Sequence, residues 1–190
     1  MKGLGYAEGR NLMVVRDEYL DDPLSEGTLA HELTHIQDAR QLLGRTRLPS
    51  FLAEGRALVI GHAYRMALGQ RENSYDARMA ASAATFSAED AGRLLRDYRG
   101  AGWDNQAVGT FLVEYMRVGW NGGTPDVLAR LSRMVEAMGG GEDFDAAFRK
   151  EFGRRFGDLR RDFARFLDAT KGEPEARLEG TMWRNAGRRP

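Results

Sequence analysis

His31-Glu32-Leu33-Thr34-His35, inside Leu29-Ala-His-Glu-Leu-Thr-His-Ile-Gln-Asp38, is the stretch that decides how the rest of the chain is read. On an α-helix each residue advances about 100°, so histidines four apart lie roughly 40° from each other and about 6 Å along the axis. Their imidazoles can converge on one metal ion. Glu32 falls on the flank of the same face. It is poorly placed to ligate but can reach a water held by that ion. The chain has only three histidines, and two of them stand in this pattern. With this composition, a chance His-Glu-x-x-His arises in roughly one chain in three hundred. The plain alternative is a surface helix with two solvated histidines.

A zinc site needs a third protein ligand and an open fourth position. The remaining histidine, His62, reads as a packed or half-exposed side chain on the next helix. The better candidate is Glu54, in Phe51-Leu-Ala-Glu-Gly-Arg-Ala57, with 18 residues between it and His35. That length lets one helix end, a loop turn between Gly44 and Pro49, and a second helix bring its first turn back. Taken alone, Glu54 reads as a first-turn glutamate favoured by the helix dipole. At this distance from the motif it reads as the carboxylate of a His31, His35, Glu54 ligand set for one Zn²⁺ per chain. Gly55 beside it allows the two helices to pack closely.

Working outward, Asn11 to Leu20 has the strand-like run Leu12, Met13, Val14, Val15, Tyr19, Leu20, broken by Asp21-Asp22-Pro23. Helices follow over about Thr28 to Leu43, with Leu29, Leu33, Ile36 and Leu43 as its apolar positions, and from Pro49-Ser50 to Leu68. Further helices span Ser74 to Ala84, Ser87 to Tyr98, Gln106 to Val118 and Thr124-Pro125 to Met138. Phe144, Phe148, Phe152, Phe156, Phe163 and Phe166 have core spacing on two closing helices. After Lys171 the chain reads as a loose tail. The organisation expected is a zinc-binding core over residues 1–70, a helical part over 71–171, and a tail over 172–190.

Composition narrows the function. The 190 residues carry 28 basic and 28 acidic side chains, so no bulk charge favours a nucleic-acid partner. The chain has no cysteine, which excludes disulfides, thiol nucleophiles and cysteine-based metal sites. No apolar run reaches the roughly 20 residues of a membrane span. Met1 to Arg10 has no apolar segment of signal-peptide type, so none is expected; cellular location stays unread.

The two motif stretches, Leu29 to Asp38 and Leu52-Ala-Glu-Gly-Arg-Ala57, resemble the gluzincin clan of zinc metallopeptidases, and within it the bacterial peptidase MA-like metallohydrolases. Val108-Gly109-Thr110-Phe111-Leu112 is similar to a family segment reading Ala-Gly-Ser-Phe-Val. The Phe144 to Gly153 and Leu159 to Phe166 stretches are similar to the family's closing helices. The resemblance implies an α+β, predominantly helical, zincin-like fold with a short N-terminal sheet and a C-terminal helical part. It implies hydrolysis of peptide or protein substrates, with His31, His35 and Glu54 as ligands and Glu32 as general base. Where the family places a tyrosine, three residues before its Ala-Gly-Ser segment, this chain has Asn105. Related enzymes use a tyrosine or histidine to stabilise the oxyanion. The candidates here are Tyr115, Tyr98 and Asn105. Leu58 stands where some gluzincins carry an acidic residue that orients a histidine. The competing expectation is a catalytically weak metal-binding module acting in protein–protein interaction or regulation; a third is a metal-free helical scaffold.

Overall fold

The structure, a computed structural model, describes residues 5–8, 12–15, 23–70, 74–100 and 102–184. These are predominantly helical. Strands β1 (Gly5–Glu8) and β2 (Leu12–Val15) pair antiparallel, with Tyr6 opposite Val14 and Ala7 opposite Met13. The strand expected from Asn11 to Leu20 is thus seen over Leu12–Val15, and residues 16–22 lie outside the described residues.

The helices are α1 (Pro23–Leu42), α2 (Ser50–Ala67), α3 (Ser74–Thr85), α4 (Ala88–Leu94), α5 (Trp103–Val118), α6 (Val127–Gly139), α7 (Phe144–Phe152), α8 (Phe156–Ala169) and α9 (Pro174–Leu178). Helix α5 is the centre. Every residue from Ala107 to Met116 is buried, so it is surrounded on all sides. Helix α2 lies between α5 and α1. Two glycine contacts set those spacings. A Cβ on Gly109 would stand 1.8 Å from the carbonyl oxygen of Phe51, and one on Gly55 would stand 2.4 Å from the Gly109 backbone. A Cβ on Gly61 would stand 2.6 Å from the carbonyl oxygen of Gly27. Gly55 therefore serves the α2–α5 contact. The close approach to α1, expected at Gly55, is made at Gly61.

Helices α7 and α8 close the core with the phenylalanines. Phe148, Phe156 and Phe163 are fully buried, and Phe144 and Phe166 pack partly buried against them. Each fully buried ring contributes about 1.5–3 kcal/mol of transfer free energy. Asp143 caps α7 by accepting from the Ala146 N–H at 2.9 Å, and Gly153 ends it in the left-handed region.

Two expectations are corrected. On α1, Leu33 is exposed at 53%, as is Leu43 just past its end at 49%, whereas Ile36, Leu42, Glu32, Thr34 and Asp38 are buried. The inner face of α1 is partly polar because it builds a site, so hydrophobic spacing misplaces it. The segment after Lys171 is packed up to residue 184. Arg177 is buried and donates to the carbonyls of Ala84 (2.9 Å), Phe86 (2.9 Å) and Leu167 (2.7 Å), and to Thr170 Oγ1 (3.0 Å). The carbonyls of Ala84 and Leu167 belong to the last turns of α3 and α8, where intrahelical partners run out. Trp183 is buried at 2% exposure. Residues 185–190 lie outside the described residues. No described helix is long and apolar enough to cross a membrane.

Candidate metal centre

One turn of α1 separates His31 from His35, and their rings meet edge-on with centroids 4.6 Å apart. The Nε2 atoms face each other at 3.0 Å. Two imidazole nitrogens at that distance can hold only one proton between them. Glu54 arrives from the second turn of α2, with Oε2 3.6 Å from His31 Nε2 and Oε1 3.5 Å from His35 Nε2. Glu32 Oε1 lies 4.0 Å from His31 Nε2. Among the described residues, His31, Glu32 and His35 also bring one ligand atom each within 4.8 Å of one another.

The donor set fits a tetrahedral divalent cation. Ligands about 2.1 Å from such an ion stand about 3.4 Å from each other; the two imidazole nitrogens are 3.0 Å apart, with one Glu54 oxygen 3.6 Å from His31 and the other 3.5 Å from His35. Two neutral nitrogens and one carboxylate are the ligand chemistry of an open zinc site. Glu32 is nearby without completing that triangle, which suits a proton carrier more than a ligand.

Proton affinities within the cluster diverge. Burial, and then the neighbouring His35, push His31 down to about 4, against the pull of Glu54. Burial also bears most heavily on His35. The hydrogen bond and charge of Glu54, with the charges of Glu32 and Asp38, overcome it and leave His35 above its ordinary value. Burial would raise Glu54, but the hydrogen bond from His35, the charges of both histidines and a hydrogen bond from Gln106 hold it below the usual range. At neutral pH, His31 is therefore a neutral donor and Glu54 an anion.

Behind the centre, Arg56 of α2 pairs with Asp38 of α1 and donates to Ser132 Oγ of α6 at 2.9 Å. Both charged groups are buried, and burial raises Asp38 despite Arg56. Arg56 is two residues from Glu54 and Asp38 is three from His35, so this ion pair ties the two ligand-bearing helices together. Lower on α2, His62 belongs to a separate buried cluster. Its Nδ1 is 2.9 Å from Asp76 Oδ1, and Arg65 Nη2 donates to both Asp76 oxygens at 2.8 and 2.9 Å. This cluster fixes the first turn of α3.

The three oxyanion candidates lie elsewhere. Tyr115 stacks on Phe166 at 4.8 Å and meets Phe163 at 5.3 Å. Tyr98 packs against Phe51, Phe144 and Phe156. Asn105 is buried, with Oδ1 accepting from Ser50 Oγ at 3.1 Å. One residue not singled out from sequence borders the centre, and a second feels its charge. Gln106 Nε2 donates to Glu54 Oε2 at 3.1 Å. Tyr75 feels the charge of Glu54, which with burial (the larger cause) and Asp76 raises its phenol well above the ordinary range. The available signal for Gln106 was its place one residue after Asn105, in the segment already set beside the motif. For Tyr75 there was no local signal.

No family model, no curated protein and no solved structure matches this chain.

Proposed function

We propose that this chain is a zinc-dependent peptidase of the gluzincin kind, with a zincin-like arrangement of its N-terminal half. The observation that carries this reading is the convergence of His31 Nε2, His35 Nε2 and the Glu54 carboxylate at 3.0 to 3.6 Å, with Glu32 beside them. His31, His35 and Glu54 would hold the ion. When bound, zinc supplies Lewis acidity to a carbonyl and to water.

The chain's own residues do the rest. Glu32 takes a proton from the water whose oxygen attacks the scissile carbonyl carbon. When the carbon–nitrogen bond breaks, Glu32 returns that proton to the leaving amine. Gln106 holds Glu54 in the orientation that faces both imidazoles.

A second reading is a metal-binding module without efficient hydrolysis. One observation favours it: buried His31 Nδ1 has no hydrogen-bond partner among the described residues. A ligating imidazole ordinarily donates its other N–H, which fixes its tautomer. The experiment that separates the two is a metal analysis of purified protein together with a generic peptide digest by wild type and Glu32→Gln. The peptidase reading expects zinc in both and cleavage in wild type alone. Zinc in both with no cleavage by either supports the module, and turnover retained in Glu32→Gln refutes the general-base role.

A further inference from the structure

Trp103 opens α5 and stands three residues before Gln106, so the two share a helix face. Gln106 touches Glu54, so Trp103 stands one helical turn from a residue in contact with the candidate metal ligands. Its ring is fixed from two sides. The indole N–H donates to Ser82 Oγ at 2.8 Å, and the Tyr75 ring meets it edge-on at 5.1 Å. Over its face lies Arg78, with the guanidinium carbon 3.9 Å from the ring centroid. A guanidinium held over a ring by its charge still carries five N–H donors, which can serve a ligand. The acids whose charge reaches Tyr75 are already engaged, Glu54 by His31, His35 and Gln106, and Asp76 by Arg65 and His62. Among the described residues Arg78 forms no ion pair, and its side chain is exposed.

We infer that Arg78, held over the face of Trp103, is a specificity-determining residue that binds a carboxylate of the substrate. The ligand class is a peptide presenting either an acidic side chain or a free C-terminal carboxylate next to the metal centre. The inference rests on the peptidase reading for its substrate. An arginine fork matches a carboxylate with two parallel hydrogen bonds. Because the ring already restricts the side chain, less conformational freedom is lost on binding than for a free surface arginine.

The test uses zinc-loaded Glu32→Gln, so that peptides bind without turnover, and reads tryptophan fluorescence. Trp120 and Trp183 are buried, which leaves the half-buried Trp103 as the responsive indole. The probes are acetylated alanine hexapeptides with one Glu or one Gln walked through the positions, each with a free or an amidated C-terminus. At one position Glu should bind about tenfold more tightly than Gln, or the free terminus about tenfold more tightly than the amide. The first result assigns a side chain, the second a chain end. Adding Arg78→Gln should bring that ratio near one. Arg78→Lys, which keeps the charge but loses the fork, should leave an intermediate ratio. Equal binding of charged and neutral peptides, or a ratio unchanged by Arg78→Gln, overturns the inference. Digestion of the same peptides by zinc-loaded wild type separates the two claims. Cleavage without any carboxylate preference sinks the subsite alone, and a preference in binding without cleavage sinks the peptidase reading alone.

Discussion

His31 and His35 sit one turn apart on α1, yet their surroundings treat their protons in opposite ways. Burial keeps His31 neutral down to about pH 4, while Glu54 and its neighbours keep a proton on His35 above the ordinary histidine range. A metal can bind only when both nitrogens are free of protons. His31 already meets that condition at pH 6.5, whereas His35, whose proton is held above the ordinary histidine range, is mostly protonated there. Zinc affinity should therefore rise with pH through the raised value of His35 and flatten above it. Binding near pH 6.5 should release up to about one proton per chain. Calorimetry in buffers of different ionisation heat checks this; uptake of protons, or affinity falling from pH 6 to 8, contradicts it. Glu32→Gln should retain zinc and lower turnover by about 10²- to 10⁴-fold. At this scale the sequence is informative where the contact is local. His31, Glu32 and His35 follow from the helical period, and Glu54 from a count of intervening residues. Gln106 meets Glu54 across separate helices, and no spacing along the chain encodes that meeting.

The contact between α2 and α5 is backbone against backbone, and its tolerance is narrow. Gly109→Ala puts a methyl where Phe51 has its carbonyl oxygen, so the helices must part. Overpacking of this kind costs about 1–3 kcal/mol, and denaturant unfolding should show at least that loss. Zinc affinity should fall with it, because Glu54 rides on the same part of α2. The Arg56–Asp38 pair makes a different demand on the elements. Arg56→Met leaves a buried carboxylate alone and should destabilise by about 3–5 kcal/mol. The double variant Arg56→Met, Asp38→Leu should recover much of that loss, because neither charge then needs desolvation. Equal instability of the single and double variants would show that the ion pair is not the cause. Some helix starts were readable: α4 begins after Ser87, which accepts from Asp90 N at 3.0 Å, but it ends at Leu94 rather than Tyr98. Which face of α1 turns inward was not readable. Hydrophobic spacing chooses Leu33, whereas α1 packs a polar face containing Glu32, Thr34 and Asp38.

The molecule is organised around α5, and the segment after Lys171 belongs to that organisation. Arg177 bridges the ends of α3 and α8, and Trp183 is buried in the main core. Trp183→Ala should cost about 3–5 kcal/mol. A loss below 1 kcal/mol on unfolding would mean the segment does not contribute to the fold. Its polar, arginine-rich composition hides this role, since one buried tryptophan and one buried arginine leave no periodic trace. Across the whole chain, the expected function depends on α1 and α2 delivering three side chains to one point. Zinc titration of metal-free protein by calorimetry, on wild type and Glu54→Ala in parallel, tests that most directly. The account expects one zinc per chain for wild type and affinity at least about a hundredfold weaker for Glu54→Ala. A wild type that takes up no zinc, or a Glu54→Ala variant that binds it equally well, would contradict it.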